Sequence, residues 1–175
     1  MVGVQRQTAS GRVWDSVPRR NGGRKMSEIL MNKEQIMEVI PHRDPFLLID
    51  EILEMEVGVK IKARKYIKED DFWFKGHFPG YPVTPGVLMV EMLAQAGAVC
   101  MLSKPEFKGK IGLFGGIDKA KFRRQVVPGD VLDLEVEIIK QRGPVGTGKA
   151  IASVGGEKAV SCEITFVVAD GSKDE

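Results

Sequence analysis

Seventeen consecutive residues, Gly86 to Leu102, read GVLMVEMLAQAGAVCML, and only Glu91 and Gln95 among them ask for water or a polar partner. A helix that is apolar on every face is covered by protein, so the rest of the chain must wrap around this segment. A membrane span is the other reading of such a run; an ionisable residue near its middle and strand patterns on both sides argue against it. Directly before it, GHFPGYPVTPG over 76–86 places three Gly and three Pro in eleven positions. Such a segment forms neither helix nor central strand and reads as a stiff loop.

Around this pair the periodicities are mostly of strands. Asn32 with Gln35 resembles a capping box, and Ile36, Val39 and Ile40 give a short helix that Pro41 stops. Leu47 to Met55 is apolar enough for a buried strand, and Val57, Val59, Ile61 and Ala63 alternate with Lys60, Lys62 and Arg64 across the turn residue Gly58. Further on, Leu132, Leu134, Val136 and Ile138 alternate with acids, and Val160, Cys162, Ile164, Phe166 and Val168 alternate with polar residues. Pro128-Gly129-Asp130, Gly143-Pro144 with Gly146 and Gly148, and Gly155-Gly156 punctuate these strands as turns. The expected fold is α+β: about six mostly antiparallel strands wrapped around one long central helix.

Charge separates the chain into two parts. Residues 1–25 hold five Arg and Lys25 against the single acid Asp15, a net +5, with almost no apolar period. They read as an unfolded leader: a tag, a mis-called start upstream of Met26, or an organelle transit sequence. Residues 26–175 form the expected domain and carry a net −3, which gives nucleic-acid binding little support. In 175 residues of 43% hydrophobic and 29% charged composition, one soluble domain can bury a core without disulfides or structural metal. Cys100 and Cys162 both lie in apolar runs and read as buried thiols of a reducing compartment. The chain has only two histidines, His42 and His77, with no zinc motif, GxxxxGK[ST] or strand-borne GxGxxG, so metal and nucleotide chemistry lack support.

What chemistry the sequence does offer gathers at the loop–helix junction. Glu91 loses hydration in its apolar helix, which makes it a candidate acid, and Gln95 shares its face one turn on. An interface or core glutamate is the alternative. His77, between Gly76 and Phe78, is braced by Pro79, Pro82 and Pro85 and is a candidate base, since an imidazole exchanges protons near neutral pH. A loop histidine capping carbonyls is equally open. The three prolines also fit a PxxP ligand, but the aromatics Phe72, Trp73, Phe74 and Phe78 read as anchors into a core. The amides of Gly86 and Val87, at the positive end of the helix, can hold an anionic oxygen. Base, acid and oxyanion donors together suit removal of a proton beside a thioester carbonyl with loss of a β-hydroxyl.

GHFPGYPVTPGVLMVEMLAQAG, preceded by PHRDPFLLID and followed by GIDKAKFRRQVVPGD, resembles the (3R)-hydroxyacyl-[acyl-carrier-protein] dehydratases of the FabZ type over about residues 32–170. The resemblance implies a hot-dog fold, no cofactor, a cytoplasmic lyase of fatty acid biosynthesis, and a homodimer or trimer of dimers. It pairs His77 of one subunit with Glu91 of the other, with Gly86 on the thioester carbonyl. Phe78, Leu113, Phe114 and Ile117 join Gln95 and Val87 as candidate substrate contacts, with Ala94 and Ala98 along an acyl tunnel. Lys119, Lys121 and Arg123, alternating along an expected strand, and Arg124 would face an acyl carrier protein bearing the phosphopantetheine thioester. His42 matches the family pattern as a structural residue, and Gln125, where Pro is common, suggests no catalytic consequence. A hot-dog thioesterase and a non-catalytic acyl-carrier-binding module are the competing functions.

Overall fold

The computed structural model describes residues 29–171; the leader over 1–25 and the start at Met26 lie outside them. Helix α1 spans Lys33–Val39 and opens on the expected capping box, Asn32 accepting from the Gln35 amide at 3.0 Å and the Gln35 side chain accepting from the Asn32 amide at 2.9 Å. Two of the four orphan donors of a helix start are thereby satisfied locally. Pro41 follows the C-cap Ile40 and prevents another turn.

Six strands follow: β1 Glu51–Glu56, β2 Lys60–Tyr66, β3 Ile111–Phe122, β4 Val131–Arg142, β5 Val145–Val154 and β6 Glu157–Ala169, with helix α2 at Gly86–Leu102 between β2 and β3. They form one sheet in the order β1-β2-β4-β5-β6-β3, antiparallel at every step. The sheet lays its inward residues on α2: Ile61, Ala63, Leu132, Leu134, Ala150, Ala152 and Cys162 share one buried core with Met89, Met92, Leu93, Ala96, Val99 and Cys100. Each fully buried side chain of Leu, Ile or Met size contributes about 1.5–3 kcal/mol. That burial, more than intrinsic propensity, is what fixes α2 in place.

Four expectations about local structure need correcting. Leu47, Leu48 and Ile49 are buried but precede β1, because the Leu48 amide donates to a side chain, Gln95 Oε1 at 2.8 Å, rather than to a strand. Val57 and Val59 lie in the turn around Gly58, whose φ of +73° favours glycine, and are 45% and 42% exposed. Gly146 and Gly148 are not turn residues but lie inside β5, where a Cβ on Gly146 would fall on the Phe166 ring and one on Gly148 would sit 3.2 Å from Val136. Lys119, Lys121 and Arg123 do not alternate on one strand: a bulge between Asp118 and Lys121 puts Lys119 at φ +53°, and β3 ends at Phe122.

The described residues leave two surfaces uncovered. Along α2, Val87 is 73% exposed and Glu91, Ala94 and Ala98 are half-buried, a stripe at helical spacing. Among the described residues strand β3 pairs only with β6, and its Leu113, Phe114, Ile117 and Phe122 are each about half exposed. The opposite sheet edge is shielded in part by the Met31–Ile52 bridge.

Candidate active site

His77 follows a 3-10 turn at Phe72–Lys75. Only part of the expected aromatic anchor is in the core: Trp73 is buried and Phe74 packs against it, while Phe72 and Phe78 are 40% and 52% exposed. Phe78 instead stacks on the imidazole, centroids 4.0 Å apart. The loop is closed by the Phe78 and Tyr81 amides, each donating to the other's carbonyl at 3.0 and 2.9 Å, and held from outside by Thr84 N–H donating to the Val126 carbonyl at 2.7 Å. The Tyr81 hydroxyl adds a bond to Gln125 Oε1 at 2.8 Å, a tie that the sequence did not foretell.

This framework decides which histidine nitrogen is available. His77 Nδ1 lies 2.8 Å from the Val83 carbonyl, which can only accept, so Nδ1 carries the hydrogen and Nε2 keeps its lone pair. The imidazole opens on a shallow depression with Gly86, Met89, Phe122, Arg123 and Gln125 around it. Gly86 is required by packing there: a Cβ would stand 2.8 Å from Phe122 Cε1. Among the described residues no side chain caps the start of α2, and the Leu88 and Met89 amides turn back onto the Pro85 carbonyl, so the amides open to a ligand are those ahead of them, at Gly86 and Val87.

Glu91 is held from one side. Gln95, 1% exposed, accepts from Leu48 N–H at 2.8 Å and donates through Nε2 to the Phe46 carbonyl at 2.8 Å and to Glu91 Oε1 at 2.9 Å. A donor on one end and a carbonyl on the other admit a single orientation of the amide. Beyond Glu91 an apolar cavity runs along α2, lined by Ala94, Ala98, Leu113, Phe114 and Phe166, with His42 at the same end as the carboxylate. His42 Nε2 stands 3.6 Å from Glu91 Oε1. The sequence reading gave this histidine a structural place on its match to the family pattern and left it outside the chemistry.

The remaining candidates divide unevenly. Leu113 and Phe114 line the Glu91 cavity, whereas Ile117 and the exposed Val87 line neither depression. Arg123 and Arg124 border the His77 depression and Lys119 and Lys121 do not. Arg124 is engaged with Asp130 at 3.0 Å and Glu157 at 3.1 Å, and Lys119 with Glu163 at 2.9 Å. Burial raises both thiols, Cys162 to about 11 and Cys100 in the same direction, so neither is a nucleophile at neutral pH. Among the described residues no three His, Cys, Asp or Glu side chains cluster as metal ligands, and no helix is long and apolar enough to cross a membrane.

His77 and Glu91 do not share a depression within one chain. The reason is helical geometry: the His77 side touches α2 at Gly86 and Met89, and Glu91, two residues past Met89, is turned about 200° away. Each chain thus holds His77 and Glu91 in separate depressions on opposite faces of one helix.

A model of the FabA-like domain matches residues 40–163. The chain is 60% identical over 135 residues to the 3-hydroxyacyl-[acyl-carrier-protein] dehydratase FabZ of Clostridium novyi, covering 77% of this chain and 95% of that protein. It is 53% identical over 139 residues to the enzyme of the same name from Oceanobacillus iheyensis, covering 79% and 99%. Among solved structures, the dehydratase heterocomplex ApeI:P from Xenorhabdus doucetiae superposes with a TM-score of 0.67 at 19% identity, over 77% of this chain and 91% of that one. The uncharacterized protein PH1136 from Pyrococcus horikoshii gives 0.59 at 13% identity, over 77% and 93%. These two likenesses speak for the hot-dog fold alone, but the sequence matches go further: the chain belongs to the FabA-like family, among the FabZ-type 3-hydroxyacyl-[acyl-carrier-protein] dehydratases.

Proposed function

We propose that this hydro-lyase removes water from a (3R)-hydroxyacyl thioester on acyl carrier protein, giving the trans-2-enoyl thioester in fatty acid biosynthesis, at sites built from two copies of the chain. His77 Nε2 takes the α-proton, and the electron pair moves into the Cα–Cβ bond as the Cβ–O bond breaks. Glu91 supplies the proton with which the hydroxyl leaves as water. The Gly86 amide, at the positive end of α2, accommodates the negative charge on the thioester oxygen, a donor of a kind worth about 2.7–4 kcal/mol. Return of the proton from His77 to Glu91 restores the site, so the reaction is hydroxyacyl to enoyl plus water. The cytoplasm is the expected compartment.

The observation that supports this reading is a pair of separate depressions on opposite faces of α2, one with an imidazole whose Nδ1 is engaged by the Val83 carbonyl, the other an apolar cavity with the tethered Glu91 at its head. A second copy completes both. The uncovered α2 stripe and the open β3 edge, half exposed at Leu113, Phe114, Ile117 and Phe122, are the surfaces such a copy would cover. Three dimers would make the larger assembly. The carrier's acidic surface would meet Lys121 and Arg123, with Arg124 and Lys119 secondary because their charges are already paired. Val87 and Ile117 belong with the subunit contact, and Phe78 beside the bound thioester.

The test is complementation. His77→Ala and Glu91→Gln each abolish the absorbance change of enoyl formation; co-expressed, the two variants regain about a quarter of the activity, since half the dimers are mixed and each holds one intact site. Failure of the mixture to regain activity would refute the shared site. Release of free thiol without enoyl would make the protein a thioesterase, and binding of acyl carrier without turnover would make it a binding module.

A further inference from the structure

Glu91 Oε1 already accepts from Gln95 Nε2 at 2.9 Å, and His42 Nε2 approaches the same oxygen at 3.6 Å, a few tenths of an ångström beyond a direct hydrogen bond. On its other edge His42 Nδ1 is buried with no partner among the described residues. A proton on Nδ1 would leave an N–H buried without an acceptor and set the Nε2 lone pair against a carboxylate oxygen. A proton on Nε2 avoids both. The charged groups that act on the ring are Glu91 from α2 and Arg43 from its own loop, whose guanidinium turns back onto the Ile40 and His42 carbonyls at 2.9 and 2.7 Å; Gln95 lines the same cavity. Burial lowers the imidazole from its ordinary value; Glu91 opposes that and Arg43 adds to it.

We propose that His42 is a positioning residue for Glu91: with its proton on Nε2 it joins Gln95 in holding Oε1 as an acceptor, which leaves Oε2 as the oxygen that carries and releases the proton. The inference rests on the reading of Glu91 as the acid. It gives the two histidines opposite tautomers, His77 protonated on Nδ1 and His42 on Nε2. Both donors to Oε1 come from the chain that carries Glu91, so the acid is oriented before a partner brings the base.

With only two histidines in the chain, long-range proton–nitrogen spectra of the intact enzyme near pH 7.5 read both tautomers directly, and a His42→Gln sample assigns the signals. The expected spectrum shows one Nδ1–H and one Nε2–H imidazole, the latter His42. In turnover, His42→Phe keeps the ring's bulk without a donor and lowers kcat about tenfold at unchanged KM, whereas His42→Gln, whose amide reaches toward the Nε2 position, restores most of it. His42 found protonated on Nδ1, or His42→Phe turning over like the parent, overturns the proposal. Should His42→Phe not assemble, the parent spectrum still decides. Full turnover in Glu91→Gln would remove the underlying reading of the acid, an outcome distinct from either.

Discussion

Replacing Gln95 with Leu keeps the side chain's bulk and deletes three hydrogen bonds, to Leu48 N–H, to the Phe46 carbonyl and to Glu91. Leu48 and Gln95 are each 1% exposed, so water cannot replace the amide. A stranded buried polar group costs about 1–3 kcal/mol; counting the Leu48 amide in full and the part-buried Phe46 carbonyl at less, the loss is about 2–4 kcal/mol. For a chain of this size each kcal/mol moves the melting point by about 2–4 °C, so Gln95→Leu should melt about 4–16 °C below the parent. Calorimetry at one fixed protein concentration measures this, since assembly makes Tm concentration-dependent. Turnover should fall as well, because Glu91 loses the donor that orients it. A variant melting within about 1 °C of the parent would show that Leu48 and Phe46 are satisfied without Gln95, and the account of the Glu91 tether would be wrong.

Four further outcomes follow from the geometry. Gly86→Ala, whose Cβ would meet Phe122 at 2.8 Å, should lose about 1–3 kcal/mol in urea denaturation together with most turnover, whereas Gly76→Ala, with nothing within 4 Å, should change neither. Below pH 6.5 the unfolded chain protonates His42 before the folded one does, so this group's share of stability is lost as pH falls from 6.5 toward the lower folded value; melting at pH 5.5 and 7.5 should show a smaller drop for His42→Gln than for the parent. Cys100 and Cys162 should resist a thiol reagent at pH 8 until the protein is unfolded, as counted by the chromophore released. Lys121→Glu should raise KM for the carrier-borne thioester and leave that for a free pantetheine thioester unchanged, whereas Arg124→Ala, which breaks the bonds to Asp130 and Glu157, should also lower the melting point.

What could be read from the residues alone was whatever is settled within a few positions of the chain. The Asn32 capping box, the turn at Gly58 and the long apolar run of α2 each carry their instructions locally. So does the candidate chemistry: a proline-braced imidazole and a carboxylate in an apolar helix are unusual on sight, and each is where the sequence put it. The errors arose where a distant neighbour decides. Gly146 and Gly148 look like turn residues because nothing nearby reveals that β5 must leave room for Phe166 and Val136 from adjacent strands. The lysines of β3 look regular because a bulge has no clear mark in a run of polar residues. Leu48 looks like strand because its amide's true partner is 47 residues away. His42 is the same case at the candidate site: it meets Glu91 only because α2 packs against the segment after α1, so its place beside that carboxyl group is a fact of packing. The local signals therefore named the candidate groups and, one helical turn from Glu91, the Gln95 amide that holds it, whereas the place of His42 became visible only with the fold.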